Sequence, residues 1–157
     1  MAPNGSRGGV AFLLAQLGHH AAEKFGERIA ALELTPPHAG ILRAIAAAPG
    51  RSQQALSSQL GVLPSRIVAF VDELEDRGYV ERRPNPDDRR QYALYLTPAG
   101  KELMQKFSRL AQQHERALTA ALSESQRGQL RELLTAIAQQ QRLTPGVHPG
   151  YRRLGRR

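Results

Sequence analysis

The sequence predicts a mainly α-helical domain with one small antiparallel β hairpin. Three observations carry that expectation. Apolar residues recur at three- and four-residue spacing along most of the chain, whereas strict alternation is confined to two short runs, 79–83 and 91–96. Aromatic residues make up only 5% and Trp is absent, so Leu, Ile, Val and Ala must build the core, a composition that favours helices over sheets. A length of 157 residues suits one folding unit with attached arms.

Residues 1–9 (MAPNGSRGG) have little to bury and are expected to form a disordered arm. Helical periodicity then begins. Val10, Leu13, Leu14, Leu17, Ala21, Phe25, Ile29 and Leu32 form one apolar stripe along a helix of about six turns. Thr35-Pro36 starts the second helix, with Thr as N-cap and Pro where its missing N–H costs nothing. Its inward positions are Ile41, Leu42 and Ile45, and Pro49-Gly50 stops it.

Ser52 can cap a short third helix that buries Leu56 and Leu60 and ends at Gly61. After a turn of about three residues, Pro64 opens a fourth helix with Ile67, Phe70, Val71 and Leu74 on its apolar face and Gly78 as its stop. Two helices joined by so tight a turn make a helix-turn-helix. The runs 79–83 and 91–96 flank P-N-P-D-D-R-R, a turn-rich and charged connection, so a hairpin follows. Helix, turn, helix and hairpin together describe a winged helix.

Thr97-Pro98 repeats the cap-plus-Pro device. It begins a long helix with Leu103, Phe107, Leu110, His114, Leu118 and Leu122 on one stripe, expected to end at Ser123. S-E-S-Q from Ser123 is a capping box that opens a last helix carrying Leu130, Leu133, Leu134 and Ile137. Residues 143–157, with four Arg, two Pro and three Gly, are expected to form a basic arm.

Composition narrows the chemistry. With no Cys, disulfides, thiolate metal sites and thiol nucleophiles are excluded. No stretch approaches the ~18 uncharged apolar residues of a membrane span, and residues 1–9 lack the apolar middle of a signal peptide, so a cytoplasmic protein is expected. No phosphate-binding glycine loop, metal-ligand helix motif or nucleophile with an evident base is present, which argues against an enzyme.

The net charge of +8 draws the chain towards polyanions, but half of it lies in Arg152, Arg153, Arg156 and Arg157. Residues 61–100 carry seven acidic against six basic side chains. Within them Asp72, Glu73, Glu75 and Asp76 oppose Arg82, Arg83, Arg89 and Arg90, which gather around the hairpin connection.

The run L-T-P-P-H-A-G-I-L from Leu34, L-E-D-R-G-Y-V-E-R from Leu74, D-D-R-R at 87–90 and L-T-P-A-G from Leu96 together resemble the MarR family of bacterial winged-helix regulators, over residues 10–142. The resemblance implies a homodimer held by a helical region of residues 10–34 and 98–142, with residues 35–97 as the winged helix-turn-helix that binds DNA. The terminal stripes support a two-fold partner independently, because each must bury its apolar face somewhere. It also implies a transcriptional regulator, more often a repressor, acting on a pseudo-palindromic double-stranded operator in the cytoplasm, associated with the nucleoid.

On that reading the first turn of the 64–77 helix enters the major groove, presenting Pro64, Ser65, Arg66, Val68 and Ala69. Arg66 is the candidate for reading guanine, Ser65 for a base edge or phosphate, and Val68 for a thymine methyl. The family's wing pattern, an Asp two residues before an Arg that reaches the minor groove, falls on Asp88 and Arg90, with Arg89 beside them. Arg82 and Arg83 are candidates for phosphate contact, as are Ser52 and Gln53 at a helix N-terminus, although capping alone also accounts for Ser52.

The resemblance further implies a crevice for a small aromatic or phenolic effector between the dimer helices and the winged helix. By register its lining includes Leu14, Leu17, His20, His38, Leu42 and Leu110. No cofactor and no metal site are expected: His19 and His20 point about 100° apart on their helix, and His38 and His114 can meet only across the fold. Two alternatives stay open, a dimeric interaction protein that uses the winged helix for protein contacts, and a metal-responsive regulator.

Overall fold

The computed structural model describes residues 8–148. Most of the expected N-terminal arm, and the Tyr151–Arg157 end of the basic arm, lie outside them. The elements follow the expected order: α1 (Val10–Ala30), α2 (Pro36–Ala47), α3 (Gln53–Leu60), α4 (Pro64–Asp76), β1 (Val80–Pro84), β2 (Tyr92–Leu96), α5 (Pro98–Leu118) and α6 (Glu124–Gln140). Helices dominate and the two strands form one antiparallel hairpin.

Local chemistry sets the helix starts. The hydroxyl of Ser52 accepts from the Ala55 N–H at 3.1 Å, and that of Thr97 accepts from the Gly100 N–H at 3.0 Å. Ser123 and Gln126 exchange two hydrogen bonds, Gln126 N–H to Ser123 Oγ at 3.2 Å and Ser123 N–H to Gln126 Oε1 at 2.8 Å. Gly61 and Gly78 adopt positive φ, 65° and 76°, which closes α3 and α4 with the left-handed residue such ends require.

The core sits in the winged helix. Ile41, Leu42 and Ile45 of α2, Leu56 of α3, Ile67, Val71 and Leu74 of α4, and Val80 and Leu94 of the hairpin are all buried, joined by Ile29, Leu103 and Phe107 from α1 and α5. Phe25 meets Phe107 edge-on at 5.7 Å between ring centroids, which seats α1 on α5.

The hairpin pairs Val80 with Leu96, Arg82 with Leu94 and Pro84 with Tyr92. A third segment joins it unannounced by the sequence. The Gly50 N–H donates to Leu94 O at 2.8 Å, the Leu94 N–H donates to Arg51 O at 3.0 Å, and Ser52 bridges Ala93. The start of α3 is thereby stitched to the wing.

Two helix ends differ from the expected boundaries. α5 stops at Leu118 rather than at Ser123, because at Thr119 the backbone leaves helical geometry, with φ −107° and ψ 20°. Leu122 therefore lies in a turn, not on the stripe. α1 ends at Ala30, and the Leu32 N–H bonds Ile29 O at 2.9 Å in a tightened turn.

Much of the terminal apolar surface stays open. Phe12, Leu13, Leu14 and Leu17 of α1, Leu118 of α5, and Leu130, Leu133, Leu134 and Ile137 of α6 are exposed, and α6 buries no residue. Among the described residues no helix is long and apolar enough to cross a membrane.

Candidate nucleic-acid interface

The first turn of α4 projects from the winged helix with no core duty. Pro64, Ser65, Arg66, Val68 and Ala69 are all exposed, while Ile67, Val71 and Leu74 on the opposite face are buried. Among the described residues the Arg66 guanidinium has no hydrogen-bond or ion-pair partner, so its donors stay available to a ligand.

The wing tip is ordered by side chains that mimic backbone. Asn85 Oδ1 accepts from the Asp87 N–H at 3.0 Å, and Asp88 Oδ1 accepts from the Arg90 N–H at 3.0 Å. The Gln91 N–H donates to Asp88 O at 3.0 Å and the Asn85 N–H to Gln91 O at 3.1 Å, closing the loop. Arg89 and Arg90 are exposed at its end, with no side-chain partner among the described residues.

Arg82 is placed differently from the expectation. Its guanidinium bonds Glu75 and Asp72 of α4, and its Nε donates to Gln53 Oε1 of α3 at 2.8 Å. Three of its five N–H donors are thus engaged within the protein, and its charge is met by two carboxylates. Gln53 is committed through its carbonyl to the same cluster, and the Ser52 hydroxyl to its cap. Arg83 is half free: it pairs with Glu81 and lies over the Tyr95 ring at 4.4 Å.

The acidic run of α4 is partly explained by these partners. Asp72 and Glu75 face Arg82, and Glu73 Oε2 lies 2.7 Å from His38 Nε2. His38 is buried, its Nδ1 lying 2.7 Å from Thr35 Oγ1 and accepting from the Thr35 N–H at 3.4 Å, with Phe70 edge-on at 5.1 Å. It links the start of α2 to α4.

The six residues expected to line an effector crevice are not brought to one cavity. Leu42 is wholly buried in the core and His38 is enclosed by its partners, whereas Leu14, Leu17 and His20 lie on the exposed face of α1 and Leu110 is half-buried on α5. An open groove of about 490 Å³ instead runs between α1, α2 and α5, lined by Phe25, Arg43, Met104, Phe107, Ala111 and His114 among others. Leu42 faces inward, whereas Arg43 beside it faces the groove.

Burial holds His114 below the ordinary histidine range, and the nearby Arg28 and His20 push it the same way. Its ring is tilted against Phe25 at 5.5 Å. The described residues contain no cluster of three or more His, Asp or Glu able to hold a metal ion.

Comparison with known proteins places this architecture. A model of the MarR family matches residues 32–91. A protein of Thauera aromatica assigned, as a transcriptional regulator, to the hcr operon is 35% identical over 138 residues, 83% of each chain. The transcriptional repressor MprA of Escherichia coli is 38% identical over 80 residues, 50% of this chain and 44% of that protein. The transcriptional repressor CouR, solved with a 23-mer DNA duplex, superposes with a TM-score of 0.73 at 34% identity, over 82% of this chain and 92% of that one. Ligand-free MarR from E. coli shares the fold, with a TM-score of 0.75 at 24% identity, over 84% and 98%. These relatives regulate transcription and are not enzymes, and the chain belongs to the MarR family of transcriptional regulators.

Proposed function

We propose that this chain is a homodimeric repressor that binds a pseudo-palindromic operator and is released by a small aromatic or phenolic ligand. The observation that carries the DNA-binding part is the placement of three cations without side-chain partners among the described residues, Arg66 at the start of α4 and Arg89 and Arg90 at the wing tip, on exposed parts of one winged helix. Arg66, with Ser65, Val68 and Ala69, reads the major groove, and Arg90 enters the flanking minor groove. Similarity to CouR, a repressor solved on DNA, supports the same use of the fold.

Residues 10–34 and 98–142 serve as the dimerisation region. The open apolar faces of α1 and α6 support this, because monomeric proteins rarely expose contiguous apolar surface of that extent. Two copies related by a two-fold axis present their α4 helices about one helical turn of DNA apart, roughly 10 bp. The effector occupies the groove of Phe25, Arg43, Phe107 and His114, where aromatic rings meet a cation. Such a repressor works in the cytoplasm, on the nucleoid.

Fluorescence anisotropy against DNA from upstream of its own gene and a scrambled duplex, across a range of salt, tests the proposal. Preferential binding with one dimer per site is expected. Equal, steeply salt-dependent binding to both duplexes would overturn operator recognition and leave only charge.

A further inference from the structure

A winged helix with more acids than bases between residues 61 and 100 must keep its own carboxylates from repelling phosphate. Arg82 stands where that problem is concentrated. It lies on β1, opposite Leu94 in register, yet its side chain runs across to two helices and is only 15% exposed. Nη1 bonds Glu75 Oε2, Nη2 bonds Asp72 Oδ1, and Nε donates to Gln53 Oε1 at 2.8 Å. The backbone N–H of the same residue donates to Glu75 Oε1 at 3.2 Å, so one carboxylate grips both ends of Arg82.

The partners come from every element that faces DNA on the proposed reading: Gln53 at the start of α3, Asp72 and Glu75 on α4, and the wing strand itself. The opposite strand completes the frame, because Leu94 is buried and exchanges backbone hydrogen bonds with Gly50 and Arg51 just before α3. A planar guanidinium with donors in a fixed fork can hold three such partners at once, whereas an ammonium is a single point charge.

We propose that Arg82 is a positioning residue that locks α3, α4 and the wing into one DNA-competent arrangement, and that it controls DNA affinity through Asp72, Glu75 and Gln53 without touching phosphate itself. It is also the counter-charge of two carboxylates on the recognition helix, which its loss exposes to the DNA. The inference rests on the DNA-binding reading above.

The test measures binding of a fluorescent duplex to the full chain, with Arg82→Lys and Arg82→Met made in the wild-type background and Arg82→Met also made in an Asp72→Asn/Glu75→Gln background. Thermal melts accompany each variant. Arg82→Lys keeps the charge and loses the fork; affinity should fall about tenfold, within the range of coupled network residues, with the slope of log K against log salt unchanged. Arg82→Met should fall at least as far in the wild-type background and less than about threefold once the carboxylates are neutralised.

Full affinity in Arg82→Lys would overturn the proposal. So would a salt slope smaller by about 0.9, the signature of one lost phosphate contact, or equal losses for Arg82→Met in both backgrounds. If Arg82→Met does not fold, Arg82→Lys and its salt slope still decide. No binding by the wild-type chain would sink the DNA-binding reading and this proposal together, whereas wild-type binding with unaffected variants would sink this proposal alone.

Discussion

Asp88 Oδ1 accepts a hydrogen bond from the backbone N–H of Arg90 at 3.0 Å, so the acid of the wing tip fixes the backbone of the base two residues on. The two side chains thus have separable duties. Arg90→Ala should weaken binding to most sequences and reduce the salt slope by about 0.9. Asp88→Asn keeps an acceptor oxygen and removes a negative charge, so it should bind as well as wild type or better. Asp88→Ala loses the turn and should bind more weakly than Asp88→Asn, as anisotropy titrations at two salt concentrations would reveal.

Arg66→Ala should behave unlike Arg90→Ala. Its loss is expected to relax base preference at one position per half-site by about 1–3 kcal/mol while leaving non-specific binding nearly intact. A panel of duplexes with single base-pair changes reads this directly.

Gly100 is held against the end of the hairpin. A Cβ added there would lie 2.1 Å from the Tyr79 carbonyl oxygen, which is backbone and cannot rotate aside. Gly100→Ala should destabilise the fold by about 1–3 kcal/mol or more, as overpacking does. At this size that lowers the melting midpoint by several degrees, roughly 2–4 °C per kcal/mol.

Acid should loosen the α1–α5 region. Burial, followed by Arg28 and His20, lowers the affinity of His114 for a proton in the folded chain, while the unfolded chain titrates near the ordinary value of about 6.5. The unfolded state then takes up the proton first. The contribution of neutral His114 is complete above about pH 6.5 and is lost as pH falls towards its lower folded value. Denaturant unfolding at pH 7.5 and 5.5 should show this loss, and His114→Gln should reduce it.

The helix starts were legible because their signals are local. Thr35-Pro36, Thr97-Pro98 and the Ser123 and Gln126 pair act within three or four residues, and each begins the element it announced. The apolar faces of α2, α3 and α4 were equally readable, since a 3.6-residue period decides which side meets the core. The end of α5 was not, because the Leu118 and Leu122 spacing continues a stripe past the point where the backbone leaves the helix at Thr119.

The site was legible where it is made of short motifs. Asp88 and Arg90 are two residues apart, and the family resemblance pairs them at the wing, where the hydrogen bond between them is found. The partners of Arg82 were not legible because they lie 7, 10 and 29 residues away and meet only after α3, α4 and β1 have packed. The groove between α1, α2 and α5 was not legible for a related reason. Register along a helix separates inward from outward, but which outward residue borders a groove depends on the neighbouring helix, and so Arg43 went unseen beside Leu42.

α6 has helical ends set by its own caps and yet encloses nothing of its own chain. In the dimer proposed above its apolar residues gain their burial from the second copy, so folding would be a bimolecular equilibrium and the unfolding midpoint would rise with protein concentration. In a cell that ties lifetime to abundance: a sparse population leaves these helices open to proteases, and an abundant one protects itself. A repressor of that kind would then carry a lower threshold of abundance, set by the law of mass action.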